Sequence, residues 1–433
     1  MSSNQAVKTK PSSTKAKPKS KGKPKSKSEP KDNLIVVFDP GTSISKIFYV
    51  INNGVVKWIT MGAEYFPLSP NRADSLTNDS DLGSPEDNAW IRTTKSGECH
   101  TVGLLASNQQ ATTSIKKSKK ELLAYKILAA IGAIASREKL DSSFKLELGV
   151  LIPYNEYKHL KEDRDWSSNL KSTLSSFYFQ TRQLKVKLSD LQCVPEGYGI
   201  ASYLSQREYA ADFRNGNSAV IMLGYRNTSC LYFRRGTLDQ AYSDTTLFGF
   251  HTLLQKMVEK VPTLTKQDLI RAISTKTEEN WTCSNYLYNY KEVETKLQFE
   301  ALSRKSDPQQ LEQAYQTSLS EYWKLLSDWL DETLPQAKEI DLMVFGGGSY
   351  QLLKTQLAGY ANSWNAKYLE TSAKDDLKKY LLWSKAPNKE RFLKENLGVR
   401  FADAWGFFLK FADYDRSLTL HRRTGEVIAK NGN

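Results

Sequence analysis

"IVVFDPGTSISKIFYV", residues 35–50, sets one apolar run against another across a short polar turn. The first run ends in Asp39 and the second starts at Lys46. Leu34 to Phe38, continuously apolar, reads as a strand buried on both faces. Lys46 to Ile51, β-branched and aromatic, reads as a strand coming back; Asn52 to Gly54 is a hairpin signal, and Val55 to Thr60 a third strand. The turn itself has two readings. One is a plain hairpin closed by Asp-Pro-Gly. The other is an anion cradle, in which backbone N–H groups of a tight Gly turn point at oxyanions. In that cradle Gly41 lets the backbone approach, and Thr42, Ser43 and Ser45 add hydroxyls. Lys46 meets a phosphate as a point charge. Asp39, repelled by phosphate, is left to hold Mg2+ through water.

A second stretch tips the balance. "SAVIMLGYRNTSCLYFRRGTLDQAYS", from Ser218, repeats the plan: an apolar strand from Ala219 to Leu223, a polar turn, a strand from Ser229 to Arg234, a turn at Arg235-Gly236, and a third strand from Thr237 to Ser243. Gly41 and Gly224 stand 183 residues apart, and Asn53-Gly54 and Arg235-Gly236 nearly so. The chain reads as two diverged copies of one unit. Two such loops facing each other can clamp a phosphate chain from both sides.

From these residues the chain resembles the actin superfamily, and within it the ParM-like bacterial actins. "VVFDPGTSISK" is similar to the family's first phosphate loop, and "VIMLGYRNTS" stands where the second belongs. "VPEGYGIASYL", Val194 to Leu204, is similar to the first connecting segment, and "LMVFGGGSYQLL", Leu342 to Leu353, to the adenosine motif. "RFADAWGFFLK", Arg400 to Lys410, is similar to the closing segment. The five occur in family order over residues 34 to about 412.

The resemblance implies an α/β, duplicated ribonuclease H-like fold of two domains with a nucleotide cleft between them. Domain I would take residues 34–209 and a returning helix at 400–418, and domain II residues 210–399. The implied ligands are ATP or GTP with Mg2+. Asp39 would order the Mg2+ hydration shell; Gly41, Thr42, Ser43, Ser45 and Lys46 would hold phosphates, with Gly224, Asn227 and Thr228 opposite. Gly346, Gly347 and Gly348 would line the nucleoside. Glu196 would position the attacking water, although a Glu after Pro can also simply cap a helix. Two positions depart from the family. Met222 stands where the second loop usually opens with Asp, which leaves hydrolysis slow or dependent on another group such as Asn227 or Asp244. Asp403 stands where Asn is common.

The implied function is a filament-forming, nucleotide-dependent bacterial actin homologue, an ATPase of the cytoplasmic cytoskeleton, serving plasmid or other DNA segregation through a DNA-binding adaptor. A weakly or non-hydrolysing scaffold filament is the second reading, and a sugar or metabolite kinase of the same fold the third.

The rest of the 433 residues bounds these readings. Residues 1–32 carry ten lysines against Glu29 and Asp32, out of a net +13 for the chain. Rich in Lys, Pro and Ser and without aromatics, this tail cannot bury a core and is expected to be disordered to residue 33. It is either a solubilising tail or a sequence-independent contact to DNA or anionic membrane. The four scattered cysteines argue against a zinc site or disulfide framework and suit a reducing compartment. No apolar signal segment opens the chain. Leu122 to Ala135, interrupted by Lys126, is a core helix too short for a bilayer. "SDTTLFGFHTLL", Ser243 to Leu254, sets either a helix start at the cleft or an ordinary cap. Residues 61–90 read as a long loop and 262–333 as helical; the aromatics of the latter, among them Trp323 and Trp329, are expected mostly in the core. Residues 419–433 read as a frayed end.

Overall fold

The computed structural model describes residues 30–76, 83–109, 119–163, 165–207, 209–266, 308–336, 339–371 and 398–413, with 269, 373, 375 and 377. The expectations for the Lys-rich tail up to residue 29, for much of 262–333, including Trp281, and for the C-terminal end lie outside these residues.

The opening stretch forms β1 (Asn33–Asp39) and β2 (Ile44–Ile51), followed by β3 (Lys57–Gly62). β1 is antiparallel to β2 and parallel to β7 (Ser143–Ile152), which is parallel to β9 (Arg182–Pro195). The second copy forms β10 (Asn217–Leu223), β11 (Thr228–Arg234) and β12 (Thr237–Leu238). β10 is antiparallel to β11 and parallel to β14 (Leu342–Gly346), which is parallel to β15 (Lys367–Glu370). The strand orders β3-β2-β1-β7-β9 and β12-β11-β10-β14-β15 are therefore the same arrangement built twice. The first sheet is nine-stranded and continues through β8 (Phe177–Phe179), β5 (Trp90–Thr93), β6 (Cys99–Val102) and β4 (Tyr65–Leu68).

The duplication reaches individual backbone angles. Asn52 and Asn53 have φ of 49° and 58°, and Arg235 and Gly236 have 49° and 75°. Two consecutive positive-φ residues twist a two-residue hairpin in the sense its strands require, and the same device recurs at the same spacing. A Cβ on Gly41 would lie 2.1 Å from the Ile44 carbonyl oxygen, and one on Gly224 2.7 Å from that of Asn227. In each copy the glycine faces the carbonyl three residues on, so only glycine closes this turn.

Two sequence expectations change. The third strand of the second copy stops at Leu238, because the Asp239 side chain accepts the Ala241 N–H and starts a 3-10 turn; the chain then rejoins β11 as β13 (Asp244–Thr246). The expected loop at 61–90 carries β4 and helix α1 (Pro70–Leu76), since β4 finds a ladder partner in β6.

Helices α2 (Leu104–Asn108), α3 (Lys119–Arg137), α4 (Tyr154–Glu162) and α5 (Trp166–Leu174) belong with the first sheet. Helix α3 buries Leu122 to Ala135 almost continuously, as a core helix should. Helix α6 (Tyr198–Leu204) follows β9, and α7 (Ala210–Asn215) leads into β10. In the second half α8 (Phe250–Lys260), α9 (Pro308–Thr333) and α10 (Lys354–Ser363) share one core with the sheet. Trp329 is buried there, and Trp323 is half-buried with its ring 5.9 Å from that of Tyr360. No helix among the described residues is long and apolar enough to cross a membrane.

The halves meet through α6 and α11 (Gly398–Phe411). One apolar cluster takes Val37 and Phe48 from the first sheet, Val220 and Val344 from the second, Ile200 from α6, and Trp405 from α11. Trp405, fully buried, lies 5.3 Å from Phe48 between ring centroids; such aromatic contacts add to the area they remove from water. The two helices touch backbone to backbone. A Cβ on Gly199 would sit 1.9 Å from the Asp403 carbonyl oxygen, and one on Gly406 2.2 Å from that of Gly199.

This crossing is expected to reject any side chain. Gly199→Ala should lower stability in urea unfolding by about 1–3 kcal/mol, the usual cost of overpacking. The control is Gly359→Ala, at an exposed position of α10 with open space around it. It should raise stability by about 0.5–1 kcal/mol, the ordinary helix propensity difference. Equal midpoints for the two variants would contradict the close contact.

Candidate functional site

The two glycine turns lie at the carboxyl ends of the central strands of the two sheets, where open α/β sheets place their ligand crevices. Asp39 and Lys46 are register partners across β1 and β2, and their side chains form an ion pair buried at the turn. Ser43 Oγ accepts a hydrogen bond of 3.1 Å from Arg400 Nη2, which brings a buried guanidinium from α11 to the first loop. In the second copy the register partners are Met222 and Ser229. Where the first turn holds a charged pair, the second therefore holds a thioether and a hydroxyl. Met222 is turned into the interdomain core, where a Cβ on Gly346 would lie 3.1 Å from its sulfur.

The glycine cluster after β14 closes against the second loop. Gly347 has φ of 92°, and a Cβ there would lie 2.4 Å from the Leu223 carbonyl oxygen. Ser349 N–H donates to the Leu223 carbonyl at 3.1 Å and Ser349 Oγ to the Gly224 carbonyl at 2.8 Å. Gly346 to Gly348 and Gly224 are thus one assembly. Asn227 and Thr228 differ in what they can offer. Thr228 Oγ is buried and donates to the Phe248 carbonyl at 2.7 Å, so it fastens the loop to the start of α8. Asn227 is buried too, and its Nδ2 meets no hydrogen-bond partner among the described residues. The same holds for Ser45 Oγ in the first loop.

Glu196 stands between the copies. Its Oε1 pairs with Lys119 Nζ at the first residue of α3, and its Oε2 lies 3.4 Å from Ser229 Oγ of the opposite half. Ser229 Oγ is 3.1 Å from Thr245 Oγ1, which accepts the Tyr154 N–H at 2.9 Å across the domain boundary. Thr245 is therefore an interdomain contact and not a cap; the chain from 243 to 254 does place the start of α8 beside the second loop, through the Phe250 N–H to Gly224 carbonyl bond of 3.1 Å. Asp244 is turned away from this group, its Oδ2 accepting from Trp329 Nε1 at 3.3 Å.

Sequence reasoning missed Lys119, Arg400 and Glu156. The Lys119 side chain is 7% exposed. Burial acts to lower its ammonium, but Glu196, Asp39 and Glu156 together raise it above its ordinary value, so it stays charged at neutral pH. Glu156 accepts the N–H groups of Lys119 and Lys120 at 3.1 and 2.7 Å and lies 3.9 Å from Arg226 of the second loop. The signal available was weak: Lys119 sits in a Lys-rich stretch before an apolar helix, and nothing local marks it.

A nucleotide fits this donor set. Glycine turns that a Cβ would fill, buried polar atoms of Ser45 and Asn227 lacking partners among the described residues, and a Lys at the first loop are the furniture of a phosphate cradle. A protein-held metal does not fit. Among the described residues there is no group of three His, Cys, Asp or Glu side chains able to hold one. Asp39 already engages Lys46, and Met222 offers no oxygen opposite it. A Mg2+ ion carried in by a nucleotide would be met through water by Asp39, the carboxylate of the first turn.

No family model matches the chain, and no curated protein matches it in sequence. Solved structures match closely in shape. The actin-like protein Alp7A superimposes with a TM-score of 0.60 at 14% identity, over 90% of this chain and 99% of that one. A 15-stranded ParM filament from Clostridium botulinum gives 0.54 at 14% identity, over 88% and 99%. The archaeal actin homologue Ta0583 in complex with ADP gives 0.53 at 12% identity, over 86% and 97%. The fold is actin-like.

Asp403 ties the site to the helix crossing. Its carboxylate accepts the Gly197 N–H at 2.7 Å and the Ile200 N–H at 3.1 Å, fixing the residue next to Glu196. Burial pushes the carboxyl up to about 7, against the pull of those donors and with the charge of Asp39 adding to the rise. An unfolded carboxyl titrates near ~4. The bound proton therefore favours the folded state, fully below about pH 4, and that contribution is lost as pH rises through about 7. Asp403→Asn has no such proton. The stability of the native protein should fall relative to this variant by a few kcal/mol, as an order of magnitude, between about pH 5 and about pH 8 in urea unfolding. Parallel pH curves would refute the assignment.

Proposed function

We propose that this chain is a nucleotide-dependent, filament-forming actin homologue. The observation that carries the reading is the paired glycine turn: two copies of one anion-binding turn, joined by Glu196, whose carboxylate pairs with Lys119 of the first half and lies 3.4 Å from Ser229 of the second. A triphosphate fits between the turns. Lys46 and the Gly41–Ser43 backbone take it from one side, with Ser45 Oγ behind them, and Gly224 and Asn227 take it from the other. Gly346 to Gly348 flank the nucleoside. When bound, the nucleotide supplies the phosphoanhydride whose hydrolysis the filament would use. Glu196 lies where a carboxylate can orient a water, and Ser229 and Lys119 fix its two oxygens.

Self-assembly is supported by the actin-like fold, one of whose structural neighbours is a filament. Assembly would be coupled to cleft closure, because Tyr154, Asn155 and Thr245 bridge the halves beside the site. By analogy, the biological role is segregation of plasmid or other DNA through an adaptor, in the cytoplasm, with residues 1–32 as a loose contact to DNA or anionic lipid. Met222 favours a second reading, a scaffold filament with slow turnover, since it removes one of the two carboxylates expected to face the phosphates. The kinase reading draws least support, since it needs an Asp aimed at a substrate hydroxyl in the cleft and the sequence offers no convincing candidate; Asp244, named as a substitute for the second-loop acid in hydrolysis, accepts from Trp329 Nε1.

Light scattering after addition of Mg·ATP or Mg·GTP tests the proposal. The native chain should show a rise and then a decay. Glu196→Ala should show the rise without the decay, with phosphate release reduced about a hundredfold or more. A persistent rise in the native chain would mark the slow scaffold. No rise with either nucleotide would remove the filament reading.

A further inference from the structure

The charge pattern of the cleft goes beyond that reading. Two carboxylates approach the phosphate position, Asp39 and Glu196, and each is paired with a lysine, Lys46 and Lys119. In the second copy Met222 stands at the position matching Asp39 and offers a dication no carboxylate oxygen. An arriving metal ion would find both carboxylates already paired with an ammonium, and drawing either one to the ion would mean breaking an ion pair. An arriving triphosphate meets the opposite situation. Lys119 is fixed at the start of α3, whose first backbone N–H groups are occupied by Glu156. Its ammonium has three donors, and Glu196 Oε1 takes one. Through Glu196, whose other oxygen lies 3.4 Å from Ser229 Oγ, it stands at the junction of the two copies.

We infer that Lys119 is a phosphate-binding residue that stands in for the metal anchored by a second-loop carboxylate, so that the triphosphate is held in this cleft without a divalent cation. The inference rests on the nucleotide reading above. It assigns Lys119 a role in binding as well as in orienting Glu196, and it explains why the substitution at Met222 is tolerable: the positive charge comes from the opposite wall.

The test is binding of a fluorescent methylanthraniloyl-ATP to the full chain, titrated in Mg2+ and in excess EDTA. Native affinity should change by less than about threefold on chelation, because the ammonium remains. Lys119→Met should bind about ten- to a hundredfold more weakly in EDTA, the worth of one charge-assisted hydrogen bond, and recover part of that in Mg2+. Lys119→Arg, which keeps the charge, should retain binding in EDTA. Chelation that abolishes native binding overturns the inference while leaving the nucleotide reading intact. So does Lys119→Met binding in EDTA as tightly as the native chain. Absence of native binding in both buffers overturns the nucleotide reading and the inference with it. The native arm needs no variant to fold, and circular dichroism melts check the two that are made.

Discussion

The Asp403 carboxylate holds the structure together at its narrowest point. It grips two N–H groups at the start of α6 from a helix more than two hundred residues further along the chain. That grip sets the direction of the chain after Glu196 and lets α6 and α11 come into backbone contact at Gly199 and Gly406. Everything at the site is referred to this crossing: Glu196 stands immediately before α6, Arg400 reaches Ser43 from α11, and Met222 packs beside Ile200. The cost is a carboxylate kept from water and titrating near neutrality, which an Asn would avoid.

Much of this was legible in the sequence because it is local. A carboxylate and an ammonium seven residues apart across a Gly turn must face each other on a hairpin, and Asp39 and Lys46 do. Two apolar strands with the same turn, at a constant spacing, announce a duplication, and the repeated positive-φ pairs carry it to the backbone. The core helix at Leu122 to Ala135 was plain from composition alone. What stayed hidden joins distant segments. Lys119 and Glu196 are 77 residues apart, and Ser43 and Arg400 357 apart. No periodicity points from one to the other. The 61–90 region hid a strand and a helix behind turn-forming residues, since β4 is held by its ladder to β6 and not by propensity. Residues 243–254 left a helix start at the cleft and an ordinary cap both open, because the sequence shows Thr245 its neighbours along the chain and not Tyr154 across the cleft.

The two copies have diverged in chemistry while keeping geometry. Position for position, Asp39 and Lys46 in one become Met222 and Ser229 in the other. The first turn is ionic and self-neutralising; the second has no charged pair at the matching positions, its Thr228 and Gly224 holding α8 and the β14 glycines while Arg226 faces Glu156 of α4. The two turns therefore differ in where their charge is neutralised: within the hairpin in one, and against Glu156 of α4 in the other.

The glycine crossing also dictates how the halves can move. Backbones in direct contact have no side-chain layer between them to shear, and a packed interface resists sliding. Turning about the contact is the motion left open. Displacement in a rotation grows with distance from its axis. A small angular change at Gly199 and Gly406 is therefore magnified at the outermost strands, β4 on one side and β12 on the other. In such a rotation the crossing would be the fulcrum and the far edges of the sheets the lever arms.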